Sequence, residues 1–149
     1  MSVLQTAMEQ RLVIFKLAGE DYAVPIAQVH TVEKMMPITR VPRAPFFVEG
    51  VINLRGEVVP VVNLRKRLEL PDRMPDEDTH IVVALAGDQM VGFLVDEISH
   101  VLSLPAEAVQ PAAQVIGDAN RHYISGVGKW EDRMIVLVDL ERLIDPEQE

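Results

Sequence analysis

Apolar positions in this chain come in short β-branched bursts separated by brief polar steps, a rhythm that predicts strands rather than long helices. Arg11-Leu12-Val13-Ile14-Phe15-Lys16-Leu17 reads as a first strand, turned by Gly19-Glu20-Asp21 into Tyr22-Ala23-Val24-Pro25-Ile26. Ile26, Val29 and Val32 are spaced instead for a helix, which predicts about two helical turns within Ile26–Met35. Pro37, Pro42 and Pro45 then hold Met36–Pro45 as an extended loop, because proline neither donates to a ladder nor continues a helix. The stretch Gly50–Leu70, GVINLRGEVVPVVNLRKRLEL, is the most informative. Val51-Ile52 and Val58-Val59-Pro60-Val61-Val62 flank Asn53-Leu54-Arg55-Gly56-Glu57, the pattern of a hairpin with glycine at the reversal. A basic cluster, Arg65-Lys66-Arg67, follows on one short helical turn.

Pro71–Asp78 reads as an exposed linker, and after it the pattern restarts. His80–Leu85 and Met90–Val95 are strands, and Asp96–Leu102 reads as a short helix-like turn. Leu104–Asn120, with Pro105 and Pro111, is a longer irregular connection. Ile124–Val127 and Met134–Val138 form another hairpin, and Asp139 is placed to cap a closing turn over Leu140–Ile144. The two halves echo each other. Leu17-Ala18-Gly19 repeats as Leu85-Ala86-Gly87 at an offset of 68, while Gly50-Val51 repeats as Gly126-Val127 and Val62-Asn63-Leu64 as Val138-Asp139-Leu140 at 76. The difference of eight falls in the Leu104–Asn120 connection. An internal duplication follows, and each half is near the minimum for a small closed barrel. The expected fold is therefore mostly β: two SH3-like five-stranded barrels sharing a core, with short helices. Subdomain 1 would span about 15–75, and subdomain 2 about 80–145 plus the N-terminal strand, with 1–9 and 146–149 as flexible tails.

Composition narrows the classes. With 149 residues, 48% of them hydrophobic, the chain is sized for one domain with an ample core. It has no cysteine, so thiolate chemistry, disulfides and zinc–cysteine sites are excluded. No apolar run approaches a membrane span, and MSVLQTAMEQRL lacks a secretory signal's features, so a cytoplasmic protein without membrane insertion is expected. A net charge of −9 disfavours nucleic acid. Residues 1–70 carry +2 and residues 71–149 carry −11. This split suits two differently charged faces for two partners, and equally fits drift on a soluble surface.

No catalytic constellation emerges. His30, His80, His100 and His122 are scattered without metal-ligand spacing, phosphate-cradling glycine motifs are absent, and Ser99, Ser103 and Ser125 lack a nucleophile elbow. Asp96-Glu97 and Glu131-Asp132 are neighbouring carboxylates of the kind usually solvated. No enzyme, metal or cofactor is expected, and function is expected to lie in contacts.

The ordered phrase GVINLRG…VVPVVNLR closely resembles the signature of the CheW family, adaptors of bacterial chemotaxis arrays, and the resemblance extends over roughly 10–145. It implies the two-barrel architecture and two partners: the cytoplasmic tip of a methyl-accepting chemoreceptor, and the regulatory domain of the histidine kinase CheA. It also implies recruitment to receptor arrays at the inner membrane. The chain ends without a receiver domain, which points to the single-domain adaptor.

Individual residues carry two readings each. Arg55 is either a solvated hairpin tip or a guanidinium held by Glu33 for directional hydrogen bonds. Ile98 and Val101, three apart on a helical turn, share a face and serve either core packing or an inter-barrel groove that docks a helix. By matching positions, the resemblance places Glu33, Arg55, Ile98 and Val101 at the receptor groove and Thr31, Thr39 and Gly50 on the kinase-facing surface. Gly50 permits close backbone approach or simply serves a turn. Head-to-tail pairing with the kinase domain would close into rings, and Gln110–Val115 would lie near the other contact of such a ring, where its small and polar side chains make a weak anchor. Rival readings are an adaptor of another chemosensory system (twitching or biofilm), a small-molecule-sensing barrel, which 5% aromatics disfavour, and an unrecognised enzyme.

Overall fold

Eleven strands build two sheets in the computed structural model, which describes residues 9–111 and 122–145. In chain order they are β1 (Glu9–Leu17), β2 (Glu20–Pro25), β3 (Val29–Lys34), β4 (Val48–Leu54), β5 (Glu57–Asn63), β6 (His80–Ala86) and β7 (Gln89–Val95). They continue with β8 (Glu97–Pro105), β9 (Val109–Pro111), β10 (Ile124–Trp130) and β11 (Arg133–Val138). Two helical turns, α1 (Leu64–Arg67) and α2 (Leu140–Leu143), close the repeats, and short 3-10 turns occupy Ile26–Gln28 and Ala106–Ala108. Both α turns are capped: the Asp139 side chain accepts from the Arg142 amide, as expected, and the Asn63 side chain accepts from the Lys66 amide.

Two helical expectations are corrected. Ile26–Met35 forms one 3-10 turn and then strand β3, and Asp96–Leu102 belongs largely to strand β8. In each, a bulge imitates helical spacing. The register slips at His30 between β3 and β6, and at Ser99 between β8 and β1. One extra residue turns apolar positions three apart onto one face of a strand, a spacing that sequence alone assigns to a helix.

The sheets also divide the chain differently from the expected subdomains. One sheet runs β3-β6-β7-β5-β4, so barrel 1 takes its strands from 29–95; the other runs β8-β1-β2-β11-β10-β9. Each barrel thus includes the leading hairpin of the other repeat, attached by a parallel ladder, β5 on β7 and β11 on β2. The exchange gives partners to strand edges that an isolated half would leave bare. After β3 the chain closes barrel 1 through reciprocal Thr39–Val51 backbone bonds (2.9 and 2.8 Å), and β9 on β10 does the same for barrel 2.

The repeat register differs as well. Leu17↔Glu20 and Ala86↔Gln89 are the closing pairs of equivalent hairpins, so the offset there is 69 and the slack in the later connection is seven, not eight. The Leu-Ala-Gly echo misleads by one because Gly19 is the second turn residue of its hairpin and Gly87 the first of its own.

Three apolar clusters fill the molecule. Leu12, Ile14, Ala23, Leu104, Ile135 and Leu137 fill barrel 2, while Ile52, Leu54, Val59, Val61, Ile81, Val83 and Leu94 fill barrel 1. Between them a shared core collects Val13, Phe15 and Leu17 from β1, Val82, Ala84 and Ala86 from β6, and Phe47, Phe93 and Leu143 among others. Strands β1 and β6 are buried on both faces, which is why their sequences are unbroken apolar runs rather than alternating ones.

Candidate protein-binding surfaces

The two edge strands β3 and β8 occupy equivalent places in the repeat. Antiparallel partners share a face of their sheet. Ile98 pairs with Phe15 and Val101 with Val13, both of the shared core. Val29 pairs with Ala84 and Val32 with Val82, again residues of that core. The bulges at Ser99 and His30 therefore bring Ile98 with Val101, and Val29 with Val32, onto the inter-barrel side. Ile98 and Val29 pack on the core, whereas Val101 (48% exposed) and Val32 (38%) stay open to solvent. The expected shared face of Ile98 and Val101 is present, with a bulged strand as its cause. Its counterpart, Val29 with Val32, was legible only as a helix period.

Arg55 sits at the tip of the β4–β5 hairpin, where a two-residue turn needs left-handed backbone at both positions (φ 51° at Arg55 and 91° at Gly56). Asn53 Oδ1 accepts the Gly56 amide at 2.8 Å and fixes that turn. From the tip, Arg55 Nη2 lies 3.6 Å from Glu33 Oε2, and Thr31 Oγ1 donates to the same oxygen at 2.9 Å. Arg55 is 71% exposed and Glu33 20%, so this is a solvent-facing pair with little value for stability. Thr31 and Glu33 pair with Val83 and Ile81, residues of the barrel 1 interior, so they lie on the side of β3 away from Val32. Thr39 and Gly50 form another group: a Cβ at Gly50 (φ 150°) would stand 2.1 Å from the Thr39 carbonyl oxygen. Glycine at 50 is thus required by close approach. The residues suggested by sequence fall into three local groups, with Thr31 beside Glu33 rather than beside Thr39 and Gly50. Of Gln110–Val115, the segment 112–115 lies outside the described residues.

Three features were not foreseen from the sequence: the separate roles within the basic cluster, the burial of Arg67 and a cleft by the Arg40–Phe46 loop. The basic cluster on α1 is really three separate devices. Arg65 grips Asp96 with two hydrogen bonds, Nε–Oδ1 at 2.9 Å and Nη2–Oδ2 at 2.6 Å, and Asp96 also accepts the Ala18 amide at 2.8 Å. Asp96 stands between β7 of barrel 1 and β8 of barrel 2, so this node fastens the crossover. Burial alone would raise the Asp96 carboxyl. Bonds from Arg65 and the Ala18 amide, with the charges of Arg65 and Arg73, outweigh it and hold the pKa below its ordinary value. The Asp96 hydrogen bond raises Arg65 in turn. Lys66 pairs with Glu49 at 2.9 Å.

Arg67 is only 2% exposed. Its guanidinium lies 4.0 Å from the Phe47 ring centre and 4.7 Å from that of Tyr123, and it donates through Nε to the Leu143 carbonyl at 2.7 Å and through Nη2 to that of Asp145. It caps the end of α2 from α1, so a barrel 1 side chain holds a barrel 2 helix. One signal was available: at the offset of 76, Arg67 aligns with the apolar Leu143, which marks a buried position. The third feature is a cleft of about 430 Å³ under the Arg40–Phe46 loop.

Burial and then the charge of Glu20 raise the Tyr22 hydroxyl. Among the described residues no three His, Asp or Glu side chains gather as metal ligands, and no helix is long and apolar enough to cross a membrane.

Two small barrels with exchanged hairpins, a shared core and open edge strands define a tandem SH3-like module. A CheW-like domain matches residues 11–148. The chain is 37% identical to a chemotaxis protein CheW of Klebsiella aerogenes, covering 93% of this chain and 84% of that protein. It is 33% identical to a chemotaxis protein CheW of Thermotoga maritima, over 97% and 95%. A solved structure, the scaffolding protein TtCheW of Thermoanaerobacter tengcongensis, superposes with a TM-score of 0.85 at 34% identity, covering 91% of this chain and 92% of that one. The chain belongs to the CheW family.

Proposed function

We propose that this protein is a non-catalytic adaptor that couples the cytoplasmic tips of methyl-accepting chemoreceptors to the regulatory domain of the histidine kinase CheA. It would work in the cytoplasm, at receptor arrays on the inner membrane. The observation that carries the reading is the pair of bulged edge strands, which present Val29, Val32, Ile98 and Val101 between the barrels. The two exposed members, Val32 and Val101, give an apolar surface that suits a helix laying down residues at helical spacing. A receptor tip, as a helical hairpin, supplies that shape. Arg55 and Glu33, on the barrel 1 side of β3, would add directional polar contacts at the rim, where charge governs specificity more than affinity. Thr39 and Gly50 would face the kinase domain, with Thr31 apart from them beside Glu33 on the same barrel.

The mechanism is positional. The shared core and the Asp96 and Arg67 contacts join the two barrels, so a shift of the receptor helix would be passed on as a change in kinase placement. Modest individual contacts gain avidity from repetition in an array. The membership of an adaptor in a twitching or biofilm system would leave this chemistry unchanged.

Titration calorimetry against a soluble receptor-tip hairpin and, separately, the isolated kinase regulatory domain tests the reading. Saturable binding to both is expected. Val101→Glu should abolish only the receptor signal. Arg55→Glu and Glu33→Arg should each weaken it, with partial recovery in the double exchange. Binding of the wild-type protein to neither partner would sink the proposal.

A further inference from the structure

The cleft beneath the Arg40–Phe46 loop combines positive charge with exposed apolar side chains. Arg40 and Arg43 line it, and neither forms an ion pair or hydrogen bond with an acidic side chain among the described residues. Lys66 also lines it, but Glu49 already neutralises that ammonium at 2.9 Å. Beside the two arginines, Phe46 is 57% exposed and Val41 is exposed as well. The loop is held in shape: Pro42 and Pro45 restrict it, the Val48 amide donates to the Pro45 carbonyl at 2.9 Å, and Phe47 anchors its end in the shared core, its carbonyl accepting from Asn63 at 2.7 Å. Phe46 stands edge-on to Phe47 at 5.6 Å. Arg43 keeps a left-handed backbone, φ 64°, at the loop's bend. A fixed loop that displays an aromatic ring and two free guanidinium groups has the composition of an interface anchor, with its ordering cost already met in the unbound protein.

We infer that this cleft is a recognition pocket for an acidic loop of a protein partner, in which Arg40 and Arg43 bind carboxylates while Phe46 and Val41 cover an apolar neighbour. The uncompensated positive charge selects an acidic occupant. The exposed Phe46 and Val41 argue for a polypeptide, since a small free anion would leave them uncovered. The cleft adjoins the Thr39–Gly50 group directly: Arg40 follows Thr39, and Val48 and Glu49 line the cleft just before Gly50. The inference therefore rests on the reading of that group as kinase-facing, and it makes the cleft the charged determinant of partner choice there.

The test is calorimetry of the full chain against the kinase regulatory domain across a range of salt concentrations, with the receptor-tip hairpin as a parallel titrant. Arg40→Glu with Arg43→Glu should weaken kinase binding at least tenfold at low salt and flatten its salt dependence. Arg43→Asn, which tolerates the left-handed backbone, should weaken it by a smaller factor. Phe46→Ala should weaken binding without changing the salt slope. Receptor-tip binding and the melting temperature should be unchanged in all three. Kinase binding that is insensitive to the charge reversal would overturn the cleft while leaving the functional reading intact. A failure of the wild-type protein to bind the kinase domain would overturn both. Displacement of the kinase domain by inorganic phosphate alone, at millimolar concentration and constant ionic strength, would make this a small-anion site and overturn the polypeptide assignment.

Discussion

Barrel 1 and barrel 2 are two castings of one pattern, and they agree where the fold needs them and differ where chemistry is displayed. Val29 and Val32 of β3 match Ile98 and Val101 of β8, Gly50 matches Gly126, and Asn63 matches Asp139 as a helix cap. At other equivalent places the two diverge. Glu33 corresponds to Leu102, Thr31 to His100 and Arg55 to Glu131, though Arg55 and Glu131 share a left-handed backbone at their hairpin tips (φ 51° and 55°). Arg67 of α1 corresponds to Leu143 of α2, the residue whose carbonyl it binds. Positions that set backbone path or fill the shared core tolerate little change, whereas tips and rims are free to carry charge. The duplication supplied the frame, and barrel 1 alone acquired the Glu33–Arg55 pair and the buried guanidinium.

The sharpest way to break this comparison is at Arg67. Arg67→Ala leaves the Leu143 and Asp145 carbonyls without that donor and opens space between Phe47 and Tyr123, and it should cost about 3–4 kcal/mol in urea denaturation. Arg67→Leu, which makes the two repeats alike, should recover part of that loss. A cost below about 1 kcal/mol for the alanine variant would show that the guanidinium does not hold the barrels together.

Next in size is the pair of bulge glycines. Gly50→Ala drives a Cβ to 2.1 Å from the Thr39 oxygen at a left-handed φ, and should cost about 3 kcal/mol. Gly126→Ala meets the Gln110 oxygen at 2.9 Å, and should cost about 1–2 kcal/mol by thermal melting. Equal losses would mean that close approach is not what distinguishes Gly50.

Asp96 separates the crossover from its surroundings by pH. Its carboxyl is held below the ordinary value by Arg65 and the Ala18 amide despite burial, so the folded state favours its ionised form. That contribution is complete above about pH 4, the ordinary aspartate range, and is lost as pH falls through the depressed folded value. Asp96→Asn should cost about 2 kcal/mol at neutral pH, and the gap between variant and wild type should narrow on acidification. A gap that is constant from neutral pH to pH 2 would rule out the ion pair as the cause.

The smallest effect belongs to the exposed tip. Arg55→Ala should change stability by no more than about 0.5 kcal/mol, because a solvated pair at 3.6 Å contributes little. A larger loss would place Arg55 among the structural residues rather than the binding ones.

Much of this protein was written in local pattern. Short β-branched runs, glycine-marked reversals and the cap at Asp139 determined the strands, the turns and the duplication, because those signals act over a few residues. The phrase around Arg55 was enough to point to the family. Tertiary structure alone decided what depends on distant partners: the exchange of hairpins through parallel ladders, the single-residue bulges at His30 and Ser99, and the separate fates of Arg65, Lys66 and Arg67. A bulge is invisible until the opposing strand sets its register, and a basic cluster looks uniform until each side chain meets the carboxylate, carbonyl or ring that captures it.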